Sequence, residues 1–330
     1  MDTKPFTRRN LLSGGAAMLA APSLPLTSAF AQSDYPAGPI RAISMFPPGA
    51  GADGRIRYYS AKLAEKTGKT VVVENRAGAF GNIATEFVAR SKPDGYTIYI
   101  CPSSSMLVAN RFIFKNLTFD PINDFEHITT LHEFAFSLIV RSDRFHSVPE
   151  ITAYLKEKGD KASYGTIAAP GYVAGEVYKA KFNLATVEVK YKEPNSLIND
   201  LLNGQIDYTF VDLNTVAGPV KDGKMKALCM TSAEALKNVP GVPGAREAGI
   251  PGLDLRNFWS VHVPAKTPKP ICDKLEIWFN EIAASPDVVK FNAATGADAL
   301  IGNSKMLREL LERETRNWAT YAKIAQLVPI

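Results

Sequence analysis

The sequence predicts an α/β protein in two lobes, each a mostly parallel sheet flanked by helices. Three observations predict it. Short runs rich in Ile, Val and Tyr alternate with longer amphipathic ones, the strand–helix–strand pattern of a parallel sheet. Once an N-terminal leader is set aside, about 300 residues remain, more than one comfortable hydrophobic core. The apolar fraction of 46% suits a folded globular chain, and no repeat, low-complexity tract or flexible linker interrupts it.

The leader is residues 1–31. Arg8 and Arg9 precede an uncharged apolar stretch that ends in Ala29-Phe30-Ala31, a small-x-small cleavage signal. The arginine pair fits the twin-arginine export route of bacteria. A transmembrane anchor is the weaker reading, because Pro22 and Pro25 interrupt a run barely as long as the ~20 residues a spanning helix needs. A periplasmic chain beginning at Gln32 is expected, and no cysteine near the cut offers a lipid anchor.

The elements follow in order. Strands are predicted at 40–46, 70–73 and 96–101, with helices at 53–65 and 82–89 between them. The pattern returns with strands at 163–166, 187–189, 206–211 and 226–230 and helices at 171–182, 194–202 and 214–221. Pro194 suits a helix start, where its missing N–H is not needed, and Gly204 and Gly223 follow helices as stops. Three helices close the chain at 268–284, 286–293 and 304–327. The last carries one apolar stripe of Leu307, Leu310, Leu311, Trp318, Tyr321 and Ile324. It has no strand-rich domain of its own to cover, so it is expected to pack back on the first lobe. The chain then crosses between lobes twice, at 134–140 and 257–263. Lobe one is thus 32–133 with 257–330, and lobe two is 134–256.

Composition narrows the function. Removing Asp2, Lys4, Arg8 and Arg9 with the leader leaves 35 basic and 32 acidic residues, a net charge of +3. That mild balance, without any Lys/Arg run, gives nucleic acid no electrostatic footprint. Cys101, Cys229 and Cys272 form no CxxC pair and have no histidine cluster beside them, so neither a zinc site nor a disulfide framework is expected. All three are read as reduced and structural. His127, His132, His146 and His262 lie in no catalytic motif. Ser104 with His132 is a weak hydrolase pair, without a GxSxG elbow.

Three loops point to a ligand. Phe46-Pro47-Pro48-Gly49-Ala50-Gly51-Ala52-Asp53 leads from a strand to a helix start, where free N–H groups favour an anion. It matches neither GxGxxG nor the P-loop with its Lys-Ser/Thr. Asp53 is read first as favouring the positive helix end and second as a ligand contact. The segment 74–83, with Gly78, Ala79, Phe80, Gly81 and Asn82, joins another strand to a helix start. Ser103, Ser104 and Ser105 follow the third strand. Loops at the carboxyl ends of successive strands are where open α/β sheets bind ligands.

Phe46–Asp53, VVVENRAGAFGNIA at 71–84, PDGYTIYI at 93–100, Phe119-Asp120-Pro121, LLNGQID at 201–207, KALCMTS at 226–232, EAGIPG at 247–252 and PAKTP at 264–268 occur in this order. In these motifs the chain resembles the Bug-type extracytoplasmic solute-binding proteins of tripartite tricarboxylate transporters, over nearly all of its mature length. The resemblance implies a type II-like periplasmic-binding-protein fold with the ligand cleft between its lobes. It implies a receptor, not an enzyme, that needs no cofactor or metal. Such a receptor captures a small organic carboxylate and delivers it, as a monomer, to the permease subunits. The ligand-holding positions implied are Phe46, Pro48, Gly49, Ala50, Gly51, Ala52 and Asp53; Gly78 to Asn82; Ser103 to Ser105; and Thr166, Ala168, Gly171, Tyr172 and Asp212. Three departures stand out. Ala50 and Ala52 stand where the family has a third glycine and a threonine, residues 166–172 are unusually apolar, and Glu193 stands in place of a glycine. Glu193 either repels a second ligand carboxylate or only favours the positive end of its helix. A ligand sensor acting through a membrane kinase would share this fold and site; a periplasmic hydrolase is the more distant alternative.

Overall fold

β1 (Ile40–Ser44) and β3 (Thr97–Pro102) bury nearly every side chain, as strands covered on both faces must. The computed structural model in which they lie describes residues 35–49 and 51–329; the leader with its cleavage site, Ala50 and Ile330 fall outside the described residues. Between these strands run α1 (Gly51–Thr67), β2 (Val71–Asn75) and α2 (Asn82–Ala89). In α1 the buried residues Ile56, Tyr59, Ser60 and Leu63 recur at helical spacing and seal one face of the sheet. β1 pairs in parallel with both β2 and β3. After β3 the chain makes a π-helical turn at Ser104–Ala109 and continues into α3 (Asn110–Ile113).

β4 (Phe125–Arg141) joins the two halves of the molecule. Its 17 residues extend about 55 Å at the usual strand rise. It pairs antiparallel with β9 (Arg256–Pro264) as far as Ala135↔Arg256, then with β7 (Tyr208–Asp212) from Phe136↔Asp212 onward. Both expected crossing segments are therefore strands, but β4 begins at Phe125, ahead of the predicted 134. β8 (Met225–Met230) pairs with the second half of β4, and the short β10 (Asp298–Ala299) with the first. In the second half, β5 (Ser163–Thr166) pairs in parallel with β6 (Val187–Lys190) and β7. The order is β2-β1-β3-β9-β4-β7-β5-β6: parallel strands on the outside, antiparallel crossing strands in the middle.

The helices of the second half are α4 (Val148–Lys158), α5 (Ala169–Phe182), α6 (Pro194–Leu202) and α7 (Ala217–Lys221). α4 is absent from the sequence expectations, although Ser147-Val148-Pro149-Glu150 carries its signal: the Ser147 hydroxyl accepts from the Glu150 N–H. α8 (Lys269–Ala284), α9 (Pro286–Ala293) and α10 (Ser304–Ile324) close the fold. The stripe of α10 is buried as predicted from Leu307 to Tyr321. Its partners differ from the expectation, since α10 packs on β4, the π-helical turn and α5, and so touches both halves. Tyr172 Oη donates to the Ala325 carbonyl at 2.9 Å, and the Asp254 N–H donates to Tyr321 Oη at 2.9 Å. At 1.5 Å per residue, 21 residues reach about 30 Å, enough to pass the point where β4 changes partners.

Candidate functional site

The carboxyl ends of β1, β2 and β3 and the loops after β5 and β7 surround a cavity of about 490 Å³. The first loop supplies Phe46, Gly51 and Ala52, the second Phe80, and the third Pro102, Ser105, Met106 and Asn110. From the other side come Ala168, Ala169, Pro170, Asp212, Asn214 and Thr215. Phe134, Phe136 and Trp259, on the crossing strands, line it where the halves meet. Thr166 and Tyr172 line a neighbouring depression of about 410 Å³ that shares Phe80, Ala168 and Ala169 with the first.

Several predicted positions support the cavity without lining it. The buried Asp53 carboxylate accepts from Ser44 Oγ at 2.9 Å, Gly49 N at 3.1 Å, Asn75 Nδ2 at 2.6 Å and Arg57 Nε at 2.8 Å. Burial opposes its ionisation, but Arg57 and these donors outweigh it and hold its pKa below the ordinary value. Asp53 thus folds the first loop back on itself, leaving the start of α1 facing the cavity. Pro48 and Gly49 lie exposed in that loop. In the second loop Gly78, Ala79, Phe80 and Gly81 have φ of 127°, 46°, 50° and 87°. Two non-glycine residues in the left-handed region cost on the order of 1–2 kcal/mol each. Asn110 offsets this by donating to the Phe80 carbonyl at 3.0 Å and to Asn82 Oδ1 at 2.8 Å. A Cβ on Gly81 would lie 2.4 Å from Met106 Sδ. The result holds Phe80, 59% exposed, at the cavity rim.

Ser105 lines the cavity and donates to Asn257 Oδ1 at 3.2 Å. Ser104 Oγ is occupied by the Phe258 N–H at 3.1 Å, and His132 faces Arg55 and Tyr59, so the two form no nucleophile–base pair. Ser103 is buried in a separate network: its hydroxyl meets Ser260 Oγ and, at 2.8 Å, His262 Nε2, while His262 Nδ1 meets His127 Nδ1 at 2.9 Å. His127 Nε2 donates to the Ile122 carbonyl at 3.1 Å, which leaves its Nδ1 to accept from His262. Burial pushes the His127 pKa down to about 4 and that of His262 well below its usual value. Both rings are neutral, every nitrogen is satisfied, and neither lines the cavity. Gly171 serves packing, since a Cβ there would sit 2.4 Å from the Phe210 carbonyl oxygen. Glu193 is exposed at the N-cap of α6, makes no capping bond and lines neither depression.

The residue missed by sequence reasoning is Arg55. It lies one turn into α1, on the face that carries Gly51 and Ala52, and lines the cavity. That spacing is the signal that could have found it. Its Nη1 donates to His132 Nε2 at 2.9 Å and Asn292 Oδ1 at 3.1 Å, and its Nη2 to Thr295 Oγ1 at 2.9 Å. The guanidinium also lies 5.7 Å from the Trp259 ring centroid and 5.5 Å from that of Phe291. Burial, with Arg55 adding to it, holds His132 well below its ordinary pKa, so this partner is neutral too. Cys101 and Cys229 are free and buried and Cys272 is free and half-buried; burial pushes each thiol up to about 12. Among the described residues no cluster of His, Cys, Asp and Glu is arranged to hold a metal.

Residues 56–327 match the family described as the tripartite tricarboxylate transporter family receptor. The chain belongs to that family. A UPF0065 protein from the tcbD–tcbE intergenic region of Pseudomonas sp. strain P51 is 29% identical over 96% of this receptor and 94% of its own length. Rpa4515 of R. palustris, solved with adipate, superposes with a TM-score of 0.79 at 26% identity, covering 90% of the receptor and all of the solved chain. The periplasmic binding protein BugD gives a TM-score of 0.75 at 27% identity over the same shares. The receptor is thus a two-lobed α/β solute-binding protein of the Bug type and not an enzyme.

Proposed function

We propose that the receptor captures a small organic carboxylate in the 490 Å³ cavity and passes it, as a monomer, to the membrane subunits of a tripartite tricarboxylate transporter. The observation that carries this reading is a convergence of anion-favouring groups. Arg55 and the N-termini of α1 and α5 all line one cavity, and the α5 N-cap, Ala168, has no side chain to satisfy the helix N–H groups. The volume suits a small molecule. The adipate held by Rpa4515 supports the same ligand class. Export through the twin-arginine leader, maturation at Gln32 and lobes at 32–133 with 257–330 and at 134–256 belong to the same reading; the change of β4 partners after Ala135 supports the lobe boundary. Among the described residues no helix is long and apolar enough to cross a membrane.

The test is mass spectrometry of whatever small molecule leaves the gently purified protein on denaturation, followed by a thermal-shift screen of mono- and dicarboxylates. A bound carboxylate recovered unchanged is the expected result; a cleaved product, or no response to any carboxylate, overturns the reading.

A further inference from the structure

The cleft carries two charged side chains, and they set what else the ligand can be. Of the residues lining the cavity, only Arg55 and Asp212 have acidic or basic side chains. Arg55 has five N–H donors, and three are committed to His132, Asn292 and Thr295, all neutral. Its Nε–H and one Nη2 hydrogen remain, and Asp212 acts on its charge through space without an ion-pair contact among the described residues. Asp212 has a different kind of vacancy. Its two oxygens accept one bond each, from the Thr215 N–H at 3.1 Å and Thr215 Oγ1 at 2.6 Å, leaving lone pairs that only a donor can meet.

The surface around these charges is broad and aromatic. Phe46 stacks on Trp259 with centroids 6.0 Å apart and planes 25° from parallel, and Phe134 lies 6.3 Å from Phe136. We propose, resting on the carboxylate-receptor reading above, that the ligand is an aromatic monocarboxylate: its carboxylate pairs with Arg55, its ring packs against Phe46 and Phe134, which Trp259 backs from behind with His132 on its other face, and the part turned toward Asp212 is uncharged. One carboxylate can take the two donors Arg55 has left, whose charge Asp212 offsets only from a distance. A second would meet Asp212 and be repelled, whereas a hydroxyl or amine would donate to it. A flat ring gains area against the cavity-facing sides of Phe46 and Phe134 and has few torsions to freeze, which a flexible aliphatic chain does not match.

Calorimetric titration of the mature chain with benzoate, 4-hydroxybenzoate, terephthalate and adipate tests this. The two monocarboxylates should bind at least about tenfold tighter than either diacid, with the hydroxyl compound ahead. Arg55→Gln should weaken benzoate about ten- to hundredfold, the loss expected for charge-assisted hydrogen bonds, and Arg55→Lys less. Asp212→Asn should narrow the gap between terephthalate and benzoate. Circular dichroism of each variant separates lost binding from lost fold, and the wild-type ranking stands without any variant. Adipate or terephthalate binding tighter than benzoate overturns the aromatic monocarboxylate while leaving the carboxylate receptor intact. An Arg55→Gln protein that folds and binds benzoate at full strength overturns the role of Arg55. If neither aromatic monocarboxylate binds but a non-aromatic carboxylate does, the ligand class is wrong; if no carboxylate binds at all, the receptor reading fails with it.

Discussion

On the wall built by β1, α1 and β3, the cleft offers a cation, a helix start and a loop braced by a buried carboxylate. On the wall built by α5 and β7 it offers alanines, a proline and Asp212. Both walls begin a helix at the cavity, so both favour negative charge through the backbone. They differ in how rigidly that charge is held. The first wall ties its loop down with four bonds to Asp53, and its cation with three to Arg55. The second uses close packing, with Gly171 against the Phe210 carbonyl, and has no side-chain cap at Ala168. One wall is thus held by hydrogen bonds around its charged groups, and the other by packing. That difference also explains how the apolar second-lobe loop is compatible with an anionic ligand: the grip does not have to be symmetric.

Breaking the first wall should have the largest effect. Asp53→Ala leaves the Ser44, Asn75 and Gly49 donors without their carboxylate, at about 1–3 kcal/mol for each that stays buried, and should give the largest loss read from urea denaturation. Acid should act on the same bond network. The folded-state pKa of Asp53 lies below its unfolded value of about 3.9, so the stability it contributes is present above about pH 4 and is lost as pH falls through the folded value. Asp53→Asn should flatten that part of the pH profile. Next in size is Gly51→Val. A Cβ at Gly51 meets nothing nearer than Asn214 Nδ2 at 3.9 Å, so the fold should survive while the branched side chain enters the cavity. The melting shift from a hundredfold excess of ligand over Kd, worth about 2.7 kcal/mol, should largely vanish. A full shift in Gly51→Val protein would remove the α1 start from the site. On the second wall, Gly171→Ala should cost about 1–3 kcal/mol through overpacking against Phe210, with ligand ranking unchanged in whatever protein folds.

The fold was more legible in the sequence than the site. Strand runs such as 163–166 and helices such as 82–89 and 194–202 match to the residue, because local apolar period and helix-start chemistry decide them. The start of β4 is hidden in the sequence because residues 125–133 carry Glu126, His127, Thr129, Thr130 and His132, a polar set that a strand tolerates only through pairing with β9 and the networks around Arg55 and Ser103. Such pairing is long-range and leaves no local trace. In the site, the glycine-rich loops stand out in the sequence, although several of their residues do not line the cavity. Arg55 is hidden because a charge on an amphipathic helix reads as a solvated face. Trp259 and Phe134 lie in recognised strand segments, yet which face meets the cleft depends on a register that no single segment fixes.

The smallest effect is expected at Glu193, and it tests the comparison from the opposite side. If the second wall gripped part of the ligand through the α6 start, a carboxylate there would reshape specificity and its removal would favour dicarboxylates. The geometry argues otherwise. Glu193 is exposed, stands outside both depressions and caps nothing, although it precedes Pro194 at the positive end of α6. Its charge faces water, where solvent and salt screen its interaction with a ligand in the cavity. Glu193→Gly should therefore leave the order of carboxylates in a thermal-shift screen as it is in the parent protein, while Asp212→Asn changes that order. If Glu193→Gly instead raised dicarboxylate affinity, the second wall would have to extend to α6 in the ligand-bound state, and Asp212 would no longer be the group that sets charge on that side.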